Sequence, residues 1–326
     1  MVEGMAAMRL ALMTEPQQGL SYADIVAAAR AAEEAGLEAF FRSDHYASFP
    51  GPAGERTTDA WATLAGLARD TTRIRLGALV SPVTFRLPGP FAKTVTTVDE
   101  MSGGRVEVGL GAGWNDEEHA QLGIPFPPLG ERFGMLEEAV EILHGLWTEP
   151  DGWRFEGRHW RVEGSLFHPR PAEYRADGGR PPIILGGSGG PRLGRLVARL
   201  GDEFNLTSAS PQDAREAYGR LDAACRAVGR DPASVARSAM TGVLIAETAA
   251  DLQDRMADLL AFTGNEDGAD ADAWLAQRRR RWIIGTLDEA GERLRDFEEA
   301  GVERVMLQDF IPRDIDHIRL MGRLVA

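Results

Sequence analysis

Strand-like and helix-like segments alternate along this chain from end to end, and that alternation restricts the fold more than any single motif does. Eight short apolar runs read as strands, at 10–14, 38–43, 73–81, 105–111, 183–187, 203–206, 239–246 and 304–308. Helical patterns fall between them. Ser21 and Asp24 make a capping pair that opens a helix closed by Gly36. Phe133, Leu136, Val140, Leu143 and Trp147 step by three and four, the spacing of one buried helical stripe. Thr286 and Glu289 repeat the capping pattern, and Gly301 ends that helix. Eight strands each followed by a helix describe an α/β fold, the (β/α)8 TIM barrel. A doubly wound sheet is the alternative, but it more often carries its glycine loop at the first strand. The 326 residues exceed the roughly 250 typical of the barrel, so a single domain over 1–326 with insertions is expected. The insertions fall near 149–181, where WRFEGRHWRVEG suggests a hairpin, and near 264–284, which starts GNEDGADADAW and runs into Arg278, Arg279, Arg280 and Arg281.

Composition narrows the function. With 36 basic and 50 acidic residues the net charge is -14, which argues against a nucleic-acid partner. The single cysteine, Cys225, permits no internal disulfide and fits a reducing cytoplasm. No apolar run reaches the length of a membrane span, and MVEGMAAMRLALM lacks the charged start of a signal peptide. The histidines are scattered, with no H-x-H or other compact ligand set, so no metal centre is expected.

In a barrel, function sits where strands end. Those ends carry Glu15, Asp44 with His45, Ser81, Trp114 with Asn115 and Glu118, the glycine loop at 186–190, Asn205, and Gln308 with Asp309. Two ends are rich in glycine. ILGGSGGPRLGRL places four glycines among five residues between a strand and a helix, an order that aims backbone N–H groups at an anion. VEVGLGAGW ends another strand in a similar way. Neither loop completes G-x-G-x-x-G, because Trp114 and Arg192 occupy the sixth positions, and neither supplies a P-loop lysine. From pattern alone, tight turn and cofactor loop remain equal readings.

Several segments resemble the luciferase-like monooxygenase superfamily, and within it the oxidoreductases that use the deazaflavin coenzyme F420. The most specific is LGALVSPVTFRLPGPFAKTVTTVDEMSGGRVEVGLGAGW; FFRSDHY, PPIILGGSGGPRLGRLVARLGDEFN and AGVERVML extend the likeness over nearly the whole chain. The resemblance implies hydride transfer between F420 and a small organic substrate. It implies a cofactor phosphate held at Gly186, Gly187, Ser188 and Gly189, which needs backbone donors and no lysine. It also implies a bulge after strand three, often with a non-prolyl cis peptide, matching Ala78 and Leu79. Asp44 and His45 match the Asp-His pair of the deazaflavin dehydrogenases, with His45 as acid or base and Asp44 orienting the ring or holding the cofactor. Ser81 and Asn115 join the expected cofactor contacts. Some relatives carry glutamate where this chain has Trp114, so the acid role passes to Glu117 or Glu118, or is absent; Trp114, a candidate catalytic residue, then stacks near the ring, lines the substrate pocket or caps the barrel core. The run from Arg278 to Arg281 is either a solvated helix face or a contact for the polyanionic coenzyme tail. An FMN-dependent monooxygenase and a non-catalytic flavin-binding relative, the latter marked by a filled or apolar cavity, are the alternatives. A small-molecule substrate and a second copy of the chain are the expected partners.

Overall fold

The computed structural model describes residues 8–49, 53–262 and 271–325. The described elements are β1 (Arg9–Thr14), α1 (Tyr22–Glu34), β2 (Ala39–Arg42), α2 (Ala60–Asp70), β3 (Arg75–Pro82), α3 (Pro88–Ser102), β4 (Val106–Gly111), α4 (Asp116–Leu122), α5 (Leu129–Thr148), β5 (Trp153–Glu156), β6 (Arg161–Ser165), β7 (Ile183–Gly187), α6 (Pro191–Leu200), β8 (Glu203–Thr207), α7 (Pro211–Ala227), β9 (Ala236–Ala246), α8 (Ala249–Phe262), α9 (Ala271–Arg279), β10 (Ile283–Thr286), α10 (Leu287–Glu299), β11 (Arg304–Asp309) and α11 (Ile315–Met321).

Eight parallel strands close into a barrel in the order β1, β2, β3, β4, β7, β8, β9, β11 and back to β1. This is the (β/α)8 TIM barrel expected from the alternation. Strand β9 forks: Ser238–Gly242 pairs with β11, while Val243–Ala246 pairs with β10, which lies outside the barrel. Strand β10 was not expected; its four residues are too few to show a period. Of the expected insertion at 264–284, residues 264–270 lie outside the described residues, and the rest forms α9 and the start of β10. At 149–181 the chain makes the antiparallel hairpin β5–β6.

Local chemistry sets the helix starts. Ser21 with Asp24 and Thr286 with Glu289 are complete capping boxes, as is Ser210 with Asp213 at the start of α7. Helix α5 buries Leu136, Val140, Leu143 and Trp147. Alternate strand residues then divide the interior. Leu10, Leu12, Phe40, Val108 and Leu185 face the helices in the main core. Ala11, Met13, Ala39, Phe41, Leu79, Ile184, Met240 and Met306 fill the barrel itself. Below that apolar layer, at the strand starts, lies a plug of charge. The buried Arg304 donates to Glu107 at 2.7 Å and to Glu203 at 2.5 Å, and Arg75 also pairs with Glu107. Burial works against the charge on Glu107, but Arg304 and Arg75 outweigh it and hold its carboxyl below the usual range. Glu203 shares Arg304, leaves Oε1 unpartnered, and is pushed up by burial.

Candidate functional site

At the opposite end, where the strands stop, the barrel opens into a cavity of about 670 Å³. Glu15, His45, Trp114, Gly186, Gly187, Ser188, Asn205 and Gln308 line it, drawn from six strand ends. Phe49, Ser208 and Phe310 also line it and were not singled out in the sequence; Phe133, expected in the buried stripe of α5, is half-buried and lines the cavity instead. Ser208 follows β8 directly, and its φ of 51° is the one positive value among the described non-glycine residues. Carrying the strand-end rule two residues past Leu206 would have found it.

The bulge of β3 shapes the floor. Its register with β4 shifts between Ala78 and Ser81, and the peptide joining Leu79 to Val80 is cis. The expected position, at Ala78 and Leu79, is therefore one residue early. Ala78 is wholly buried in the main core and does not line the cavity, whereas Leu79 and Val80 do. The bulge also explains two glycines of VEVGLGAGW: a Cβ on Gly109 would collide with the Ala78 carbonyl and lie 3.1 Å from a Val80 methyl, and one on Gly111 or Gly186 would lie 2.6 or 2.8 Å from Val80. These glycines give the bulge room; at Gly109 and Gly111 that replaces the anion-loop reading.

His45 is fixed by groups behind it. Its Nδ1 lies 2.8 Å from Glu118 Oε1, while the other carboxylate oxygen accepts from Tyr46 N at 2.9 Å. Burial would raise the Glu118 pKa, but these donors win and hold it below the usual range. Glu118 is therefore an ionised, buried carboxylate that binds His45 from outside the cavity wall, where the expected acid role would have it face the cavity. Glu117 faces solvent on α4. A carboxylate acceptor at Nδ1 places the ring proton there and leaves Nε2 for chemistry. The His45 ring meets Phe49 edge-on at 4.5 Å and Trp114 at 5.7 Å. Trp114 is 65% exposed at the rim, so it is a wall residue and not a core cap.

Three expected cofactor contacts lie behind this wall. Asp44 is buried and receives Arg86 Nη1 at 2.5 Å and Ser81 Oγ at 2.7 Å. Ser81 in turn accepts from Trp61 Nε1 at 2.9 Å. Asn115 caps α4, accepting from Glu117 N at 3.1 Å. Asp44, Ser81 and Asn115 therefore hold elements in place and do not face the cavity. Asp309 is likewise buried, beside His317. Glu15 does face the cavity, its two oxygens taken by Gln308 Nε2 at 2.5 Å and Gln17 Nε2 at 2.8 Å.

The glycine loop keeps the features an anion needs. Gly190 is the N-cap of α6 and makes no side-chain cap, so no side chain competes for the first-turn amides. Gly189 has φ 78°, and the exposed Ser188 sits before it. A Cβ on Gly187 would come within 3.0 Å of Leu193. Gly189 is buried below the loop and does not line the cavity. Behind Ser188 a smaller polar pocket holds Ser208, Arg220 and Arg281 together with the acidic Asp213 and Glu216. The four arginines separate: Arg278 stacks on Trp274 at 3.4 Å, Arg279 reaches Ile284 O, Arg280 joins a surface groove with Arg215 and Arg293, and Arg281 alone approaches the loop. Among the described residues there is no cluster able to hold a metal ion, and no helix long and apolar enough to cross a membrane.

The sequence profile described as luciferase-like monooxygenase matches residues 5–304. An uncharacterized protein of Mycobacterium tuberculosis is 31% identical over 220 residues, 63% of this chain and 74% of that one. An F420-dependent glucose-6-phosphate dehydrogenase of Intrasporangium calvum is 34% identical over 185 residues, 56% of this chain and 53% of its own length. The chain thus spans about half the length of such dehydrogenases. Among solved structures, an F420-dependent secondary alcohol dehydrogenase in complex with an F420-acetone adduct aligns with a TM-score of 0.83 at 19% identity, covering 98% of both chains. The EDTA monooxygenase of Chelativorans sp. BNC1 aligns at 0.77 and 19% identity, covering 98% of this chain and 94% of that one. These two likenesses show the fold. The profile match over most of the chain decides the family: this protein belongs to the luciferase-like monooxygenase family.

Proposed function

We propose that this protein is an oxidoreductase that transfers hydride between coenzyme F420 and a small organic substrate. The observation that carries the reading is His45, held at Nδ1 by an ionised carboxylate and lining the same cavity as a glycine loop open to an anion. The relatives named F420-dependent support the choice of coenzyme. The loop fits a phosphate, since Gly187 leaves no side chain over it and α6 begins without a side-chain cap. Gly186, Gly187 and Ser188 would hold the phosphate, and Arg281 and Arg220, which share the neighbouring pocket with Asp213 and Glu216, would supply basic groups to a further anionic part of the coenzyme.

When bound, the coenzyme supplies a two-electron hydride acceptor or donor. The chain supplies the proton. For alcohol oxidation His45 Nε2 takes the hydroxyl proton as the carbinol hydrogen departs with its electron pair and C=O forms. For carbonyl reduction it returns that proton. Glu118 keeps the ring in place, with Nε2 toward the cavity. A non-catalytic flavin-binding relative calls for a filled or apolar cavity; this one is open but mainly apolar, so turnover with F420 separates the two readings.

A fluorescence titration tests the coenzyme. F420 should bind at least tenfold more tightly than FMN, about 1.4 kcal/mol. Equal or reversed affinity would favour an FMN-dependent monooxygenase, the chemistry of several structural neighbours. Gly187→Ala, which asks only a small shift of Leu193, should weaken binding of whichever coenzyme the loop holds; unchanged binding would make the loop a turn.

A further inference from the structure

We infer that the substrate is an uncharged, mainly apolar alcohol or carbonyl compound, and that phosphorylated sugars are excluded. This rests on the oxidoreductase reading for the reaction, but its physical basis is the cavity wall. Among the described residues, only Glu15, His45 and Arg192 bring an ionisable side chain to that wall. Arg192 is already neutralised: Glu137 takes its Nε and Nη2, each at 2.8 Å, and Gly130 O takes Nη1 at 2.8 Å. It also belongs to the first turn of α6, beside the glycine loop.

The cations behind the wall are equally occupied. Arg86 is bound by Asp44 and Asp59, and Arg132 by the carbonyls of Ala112, Gly113 and Pro127. Among the described residues, Glu15 therefore faces the cavity with no free cation opposite it. Away from the glycine loop, a phosphate dianion entering beside His45 would lose its water and meet no counter-charge. The surface around His45 is apolar instead. Phe49 and Trp114 meet each other edge-on at 5.2 Å and both meet the imidazole, so a hydrophobic face borders the proton-handling group. Trp114 and Leu129, 65% and 53% exposed, carry that face out to the mouth. Exposed large apolar side chains gathered at a cavity mark a surface that takes an apolar ligand. Trp114 is thus a specificity-determining residue.

The test reads binding as well as turnover. Saturation-transfer NMR should show binding of acetophenone with and without F420, and, once F420 occupies the glycine loop, none of glucose 6-phosphate at equal concentration. With F420, kcat/KM for 1-phenylethanol should exceed that for glucose 6-phosphate by at least 100-fold. Trp114→Ala should raise KM for 1-phenylethanol at least fivefold while kcat changes less than twofold. Glucose 6-phosphate binding as well as acetophenone, or equal turnover of the two substrates, would overturn the inference. Acetophenone binding without any affinity for F420 would instead defeat the coenzyme reading and leave the substrate class standing.

Discussion

The two ends of the barrel both carry buried charge, and they use it in opposite ways. At the strand starts Arg304, Glu107, Glu203 and Arg75 spend their charges on one another, beneath a layer of methionine, phenylalanine and aliphatic side chains. At the strand ends Asp44, Arg86 and Arg192 are likewise paired, but His45 is bound on one side only. Glu118 takes Nδ1 of His45 and leaves Nε2; Gln17 and Gln308 hold Glu15 while its face borders the cavity. Charges spent on one another inside the barrel hold the fold, whereas a group held from behind is aimed at a ligand. The difference predicts that substitutions at the two ends separate stability from function.

The largest separation is expected at His45. His45→Ala should lower turnover by roughly 10²–10⁴, the usual worth of acid–base catalysis, and remove one limb of the pH–rate profile. Thermal melting should move little. An unchanged rate and profile would leave His45 a wall residue and return the proton to Glu15 or water.

Arg304→Met attacks the other end. It strands Glu107 and Glu203 in the interior and should cost about 3–5 kcal/mol in denaturant unfolding. Coenzyme affinity per folded molecule should be unchanged. A loss of affinity without a loss of stability would show that the two ends are not separate.

Glu118→Gln should act on both quantities, more weakly. A charge-assisted hydrogen bond becomes a neutral one, about 1 kcal/mol, so turnover should fall about fivefold. The stability effect has a defined sign with pH. Because the folded carboxyl is depressed below the ordinary glutamate value of 4.5, its stabilisation is complete above that pH. The gap between wild type and variant in urea should therefore close as pH falls below 4.5 and through the folded value. A gap independent of pH would mean that the carboxylate charge contributes nothing.

Arg281→Ala should give the smallest effect. Exposed ion pairs are worth about 0–1 kcal/mol, so F420 affinity should drop by no more than about fivefold, and less at high salt. No change at low salt would place the coenzyme's outer anions elsewhere.

The barrel was readable because its signals are local and repeated: apolar runs, capping boxes and Gly36 or Gly301 past a helix end each need only a few neighbours in sequence. His45, Trp114 and the loop at 186–188 were readable as strand ends. What was not readable depends on side-chain direction and on partners distant in the chain. Asp44 sits next to His45 in sequence, yet it turns to Arg86, 42 residues away. Glu118 reaches His45 across 73 residues, which changes it from an acid into a support. The glycines at 109 and 111 matched an anion loop, but their reason is the bulge of the neighbouring strand, at Ala78 and Val80. Phe49 and Phe310 reach the cavity from loops, where no period marks them.

Hydride transfer itself can be followed with an isotope. 1-Phenylethanol carrying deuterium on the carbinol carbon is incubated with the enzyme and F420 in unlabelled water, and the reduced coenzyme is weighed by mass spectrometry. The expected result is one deuterium carried into the coenzyme by the wild type, with the His45→Ala rate reduced by at least 100-fold. Reduced coenzyme that contains only solvent hydrogen, or no reduction by any secondary alcohol although F420 binds, would contradict hydride transfer at this site.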